Sequence, residues 1–242
     1  MRFLVMLAAL PLVACGSVSM GGEKGDKVAA SGGGASRTFQ VADFTGVELA
    51  GADDIDVTVG GTFSVRAEGP AEELDKLEIR KDGTTLWVGR RKDGSWSAKA
   101  GKGVKVHVTM PAIRSASLAG AGDLTIDKVE SEDFDGNLAG SGDLKLGRVA
   151  ATSVELNIAG SGTIAASGQV ERLEVAVAGS GDVDAAGLKA ARADVSIAGS
   201  GSVAAEVNGP AKINILGSGD VTLGGKPQCE TSKMGSGDVT CG

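Results

Sequence analysis

One corner recurs seven times in this chain. Gly-Ser-Gly or Gly-Ala-Gly, followed by a small polar residue and then an aliphatic one, begins at Gly120, Gly140, Gly160, Gly179, Gly199, Gly217 and Gly235. Successive corners lie 20, 20, 19, 20, 18 and 18 residues apart. A repeat of that length cannot bury an apolar face alone, so its copies must stack on one another. Between corners, apolar and polar or small residues alternate, as in Val154, Leu156 and Ile158 around Glu155 and Asn157. Period two marks strands. The parity continues through the corner: steps of two from Val177 reach Gly179, Gly181 and Val183. Both glycines therefore fall where inward side chains would collide or a neighbouring backbone comes close, and the serine between them faces out.

A leucine-rich repeat has a similar period, but its Leu-x-x-Leu-x-Leu frame is absent. Helical arrays are opposed by paired glycines and β-branched alternation. The pattern predicts an all-β chain, a parallel β-solenoid with about one corner per 18–20 residue turn. Its irregularities of period are expected in loops around Gly168 and around Asn208-Gly209-Pro210. With rungs about 4.8 Å apart, seven motifs make a rod roughly 30 Å long. From Leu118 onward Phe134 is the only aromatic residue, so the core must be thin and aliphatic.

Residues 37–111 differ in texture, since they hold Phe39, Phe44, Phe63, Trp87 and Trp96. Leu49-Ala50-Gly51-Ala52-Asp53-Asp54-Ile55 reads as a degenerate corner. The segment is expected to form bulkier N-terminal cap turns of a single domain, 37–242, whose regular repeats occupy 112–242. Ahead of it, Arg2 and an apolar run from Phe3 to Val13 have the proportions of a signal peptide rather than a membrane span. The run ends in Leu12-Val13-Ala14-Cys15-Gly16. This resembles a bacterial lipoprotein signal, which implies cleavage after residue 14, lipidation of Cys15 and, with Gly16 rather than Asp next, retention at the outer membrane. Residues 15–36 are Gly, Ser and Ala with a few charges, and read as a flexible linker after the lipidated cysteine. Cys229 and Cys241 are expected to pair, because export removes the reducing environment that keeps thiols apart.

Few residues suggest chemistry. His107 is the only histidine, and Val104, Val106 and Val108 take the inward parity, so it faces solvent. That leaves no Ser-His or Cys-His pair in the interior. Asp123, Asp143, Asp182, Asp220 and Asp238 share one corner position, with Thr163 and Ser202 in the other two places. Such a ladder is a weak calcium candidate; in turns of this kind Asp commonly accepts hydrogen bonds from nearby backbone N–H groups. Gly-x-Gly with no helix after it is a poor phosphate cradle. Acidic residues outnumber basic ones by 17 to 10 from Ala112 onward, whereas Arg80 to Lys105 carries eight basic residues. Trp87, Arg90, Arg91, Lys92 and Trp96 there form a candidate patch for anionic lipid or polysaccharide, although an ordinary solvated hairpin accounts for the same residues. Nucleic acid does not suit an exported acidic chain. A polysaccharide-active site would need clustered acids with aromatic platforms, which the repeats lack. No cofactor, and no enzyme, is expected.

The run of Phe39-x-Val41, Val57-x-Val59-Gly60, Phe63-Ser64-Val65, Val104-x-Val106-x-Val108-x-Met110-Pro111, the Gly-Ser-Gly-Asp turns and the two terminal cysteines resembles the bacterial head GIN domain family, which carries an auto-transporter adhesin label. The resemblance spans about Thr38 to Cys241 and implies a right-handed β-helix at the cell envelope. It brings no catalytic residues. The expected function is a lipid-anchored, non-catalytic binding module for envelope polysaccharide or a surface protein. A structural or homo-oligomerising envelope component is the alternative, and a polysaccharide-active enzyme stands third.

Overall fold

The structure, a computed structural model, describes residues 25–90 and 103–242. Strand Ser115–Gly120 lies parallel to Gly46–Gly51 on one side and to the second half of Asp123–Gly140 on the other. The same parallel step continues through the strands ending at Gly160, Gly179, Gly199, Gly217 and Gly235. A second stack runs from Asp54–Val59 through Leu124–Ile126 and onward to Val239–Cys241. The chain is a β-solenoid, as its repeats require.

Within the coil Asp123–Gly140 the buried positions are Leu124, Ile126, Val129, Phe134, Gly136 and Leu138. Alternation slips between 126 and 129 and again between 129 and 134. At each slip two successive residues face out, so the strand bends instead of ending. The changes in coil length are taken up at such bends: register shifts occur between Ala165 and Ser167 and between Ala185 and Lys189. The expected loops at Gly168 and Asn208-Gly209 are therefore bends and bulges within a nearly continuous ladder.

The glycine corner itself is a backbone stack. Gly51, Gly120, Gly140, Gly160, Gly179, Gly199, Gly217 and Gly235 align in register, all with φ between +127° and +143°. A Cβ on any of the last seven would stand 1.8–2.4 Å from the carbonyl oxygen of the glycine in the preceding coil. That oxygen is already occupied: Gly120 O accepts from Ser141 N at 2.9 Å and Gly142 N at 3.2 Å. Positive φ and close approach coincide here, and only glycine satisfies both.

The cap departs from expectation. Thr85–Arg90 and Lys105–Met110 do add one parallel layer, on Gly46–Gly51 and Asp54–Val59. Beyond that layer the pairing turns antiparallel: Leu77–Asp82 on Thr85–Arg90, Ser64–Glu68 on Lys105–Met110, and Ser36–Phe39 on Ser64–Glu68. The reason lies in the connections. A tight turn at Gly83, φ +57°, replaces the glycine corner and reverses the chain. Phe44, in the cap core, packs on Phe63 at 4.8 Å between centroids. Part of the segment expected as linker also differs. Asp26–Lys27 pairs with Arg80–Lys81, and Ala30–Ser31 with Thr38–Phe39, so residues 25–36 run along the cap.

At the other end the inward places of the last coil change character. Cys229, Thr231 and Lys233 lie in register with buried Ala211, Ile213 and Ile215, and Lys233 Nζ donates to Gly237 O. Cys229 is disulfide-bonded to Cys241 across the mouth of the core. An inward lysine and polar residues on an edge strand discourage further strand addition. Reduction is expected to destabilise this terminal coil by about 3 kcal/mol. Limited proteolysis with and without reductant checks it: cleavage should appear first after residue 225 and leave the preceding coils intact.

Candidate functional site

On the strands that end in the corner glycines, stacking without a register shift converts each outward position into a row along the solenoid axis. On the face formed by the strands that end in the corner glycines, one row reads Ala50, Ala119, Ala139, Ala159, Ala178 and Ala198, and continues to Leu216 and Met234. Two residues upstream runs a parallel row of Glu48, Ser117, Asn137, Asn157, Ala176, Ser196, Asn214 and Ser232. These rows line a shallow groove of about 860 Å³. The alanine row runs about 24 Å from Ala50 to Ala198 at strand spacing.

Its surface is striped. The alanine methyls are the floor, since no side chain there reaches past Cβ. At the C-terminal end Leu216 and Met234 are 60% and 73% exposed, the two large apolar side chains left in solvent among the described residues. Along the polar row Asn157 Nδ2 donates to Asn137 Oδ1 at 3.2 Å and to Glu155 Oε1 at 2.8 Å, which holds the amides in place. At the N-terminal end burial, and then Asp82, push the Glu48 carboxyl above its ordinary value. Beside Glu48 is Trp87, whose ring lies over Gly89, where a Cβ would be 2.4 Å from the indole.

The candidates named from sequence fare unequally. Trp87 is half-buried and stacked 5.4 Å from the Arg80 guanidinium. Arg90 does not point into an open patch. Its Nε donates to Asp53 Oδ2 at 2.8 Å, and its other nitrogens reach Asp53 Oδ1 and Glu73. Arg91, Lys92, Trp96 and Cys15 lie outside the described residues. His107 is exposed, with Asp56 at 3.8 Å and Glu68 at 4.0 Å. Two of the corner acids, Asp182 and Asp220, bond along the stack. Asp182 Oδ1 accepts from Ser202 N at 2.8 Å and Asp220 Oδ1 from Asp238 N at 2.7 Å, each donor one coil further on. For Asp123 and Asp143 the structure shows a backbone bond from Asp123 N to Asp54 Oδ1 and a salt bridge from Asp143 to Lys145 at 3.4 Å. Among the described residues no group of three or more His, Cys, Asp or Glu is placed to hold a metal.

Sequence reasoning passed over the groove. Its signal was an alanine directly before the corner glycine at residues 119, 139, 159, 178 and 198, which is easily taken for filler because alanine fits core and surface alike.

Comparison with known proteins follows the fold. The family model described as "Putative auto-transporter adhesin, head GIN domain" matches residues 43–227. Among solved structures the chain is similar to a "putative adhesin" from Bacteroides fragilis, with a TM-score of 0.78, 20% identity, and coverage of 85% of this chain and 95% of that one. It is also similar to a "putative lipid binding protein" from Parabacteroides distasonis, with a TM-score of 0.70, 24% identity, and coverage of 85% and 95%. A "putative adhesin" from Parabacteroides merdae aligns with a TM-score of 0.67 at 17% identity, covering 85% and 94%. No curated protein gives a significant match. Among the described residues no helix is long and apolar enough to cross a membrane.

Proposed function

The chain belongs to the head GIN domain family, and from that premise we propose that it is a non-catalytic, adhesin-like binding module whose working surface is the alanine-floored groove. One observation carries this reading: side chains of one kind stand in unbroken register along one face for about 24 Å. Backbone stacking fixes them before any ligand arrives, so binding orders few side chains and little affinity is lost to entropy. A long partner would gain many weak contacts from methyls, amides and hydroxyls.

In the same proposal residues 1–14 are a lipoprotein signal peptide, Cys15 carries the lipid, and the domain is held at the outer membrane. The groove would then meet envelope polysaccharide or a surface protein. The rival is a structural or homo-oligomerising role through a flat side that pairs with itself; inward Lys233 and the Cys229–Cys241 bridge on the terminal coil oppose only end-to-end addition.

The test is a titration of fluorescently labelled protein onto fractionated bacterial envelope, with unlabelled protein as competitor. Saturable, competable binding is expected. Binding that never saturates, together with a stable homo-oligomer in light scattering, would replace the module by a scaffold.

A further inference from the structure

A third stripe runs beside the groove. Two residues upstream of the amide row, Asp135, Glu155, Glu174 and Asp194 stand in register, one per coil. Among the described residues none of the four is in a salt bridge. Burial first, and then the like charges of Glu155 and Asp133, push the Asp135 carboxyl above its ordinary value. Lys212 follows Asp194 in the same row, and Arg172 and Arg192 occupy the next outward row beside Glu174 and Asp194, so the uncompensated charge is greatest at Asp135 and Glu155.

We infer that this face accepts an amphipathic α-helix of another protein, laid along the solenoid axis with Lys or Arg on the acidic stripe and apolar side chains on the alanine floor. The inference rests on the groove being the binding surface. Charge complementarity selects a cationic partner, and dimensions select its conformation. Three steps between the four acids span about 14 Å, whereas one face of a helix repeats every 5.4 Å and covers about 16 Å in three steps. The mismatch of about 2 Å is within the reach of lysine. An extended strand repeats on one face about every 6.8 Å and would overshoot by about 6 Å. Acidic row and alanine row are four strand residues apart, about 13 Å, close to the 10–12 Å diameter of a helix. Alanine in the floor lets the helix approach closely.

The probe is a labelled 18-residue Lys/Leu peptide with its lysines along one helical stripe and leucines along the adjoining one, titrated into the purified protein by anisotropy. Controls are a scrambled peptide of identical composition and one with strictly alternating Lys and Leu. Saturable one-to-one binding is expected, at least tenfold tighter than either control and weaker at high salt. The double variant Asp135→Asn/Glu155→Gln should bind at least fivefold more weakly, and circular dichroism should show it folded. Equal binding of the controls, or full affinity in the acid variant, overturns the inference. If Ala159→Arg abolishes envelope binding while the helical peptide neither binds nor competes, the groove reading survives and the helix falls. If Ala159→Arg changes neither envelope nor peptide binding, both fall.

Discussion

Gly160→Ala is expected to cost about 3–6 kcal/mol, the sum of a strained positive φ and a forced backbone displacement. Gly160 has φ +140°, and a Cβ there would lie 2.3 Å from Gly140 O. A methyl cannot be accommodated by a rotamer change, because the obstructing atom belongs to a carbonyl bonded to Ser161 N. The two coils must part. Gly83→Ala is the control. Its φ is +57° with open space around it, so only the backbone penalty of roughly 1–2 kcal/mol applies. Denaturant melts of the two variants separate these terms, and equal losses would mean that the stack contributes nothing.

Arg90→Ala should cost about 3–5 kcal/mol, because it strands a buried carboxylate. Asp53 is 1% exposed and occupies the place that Gly122 and its successors hold in later coils, as its carbonyl 2.0 Å beneath the position of a Gly122 Cβ shows. A side chain is tolerated there because the layer below, Thr85–Arg90, has no glycine corner and instead brings the guanidinium. Removing both charges in Asp53→Ala/Arg90→Ala should recover part of the loss, so the single costs would not add. Additive losses in a double-mutant cycle would show that the pair is not coupled.

That ion pair also marks where the sequence stops being legible. The corner could be read because period and parity both pointed to stacked strands, and the structure places Gly51 at its foot in register, as the degenerate copy indicated. The antiparallel cap could not, since Ser64–Glu68 and Leu77–Asp82 carry the same alternation whichever way their neighbours run. Arg90 looked like a ligand group in a basic stretch because its partners lie 37 and 17 residues away. The groove was hidden for another reason. Alanine before the corner glycine becomes a floor only when coils align residue on residue, and register is a property of the stack.

Two surface arginines, compared in the envelope titration, decide whether the groove is the binding surface. Ala159 stands on the groove floor, and Ala165 lies on the other sheet between Lys145 and Asp184. Ala159→Arg is expected to weaken binding at least tenfold, with Ala165→Arg within twofold of the unsubstituted protein and both equally stable. Unchanged binding by Ala159→Arg, or an equal loss from Ala165→Arg, would contradict the assignment of the groove as the binding surface.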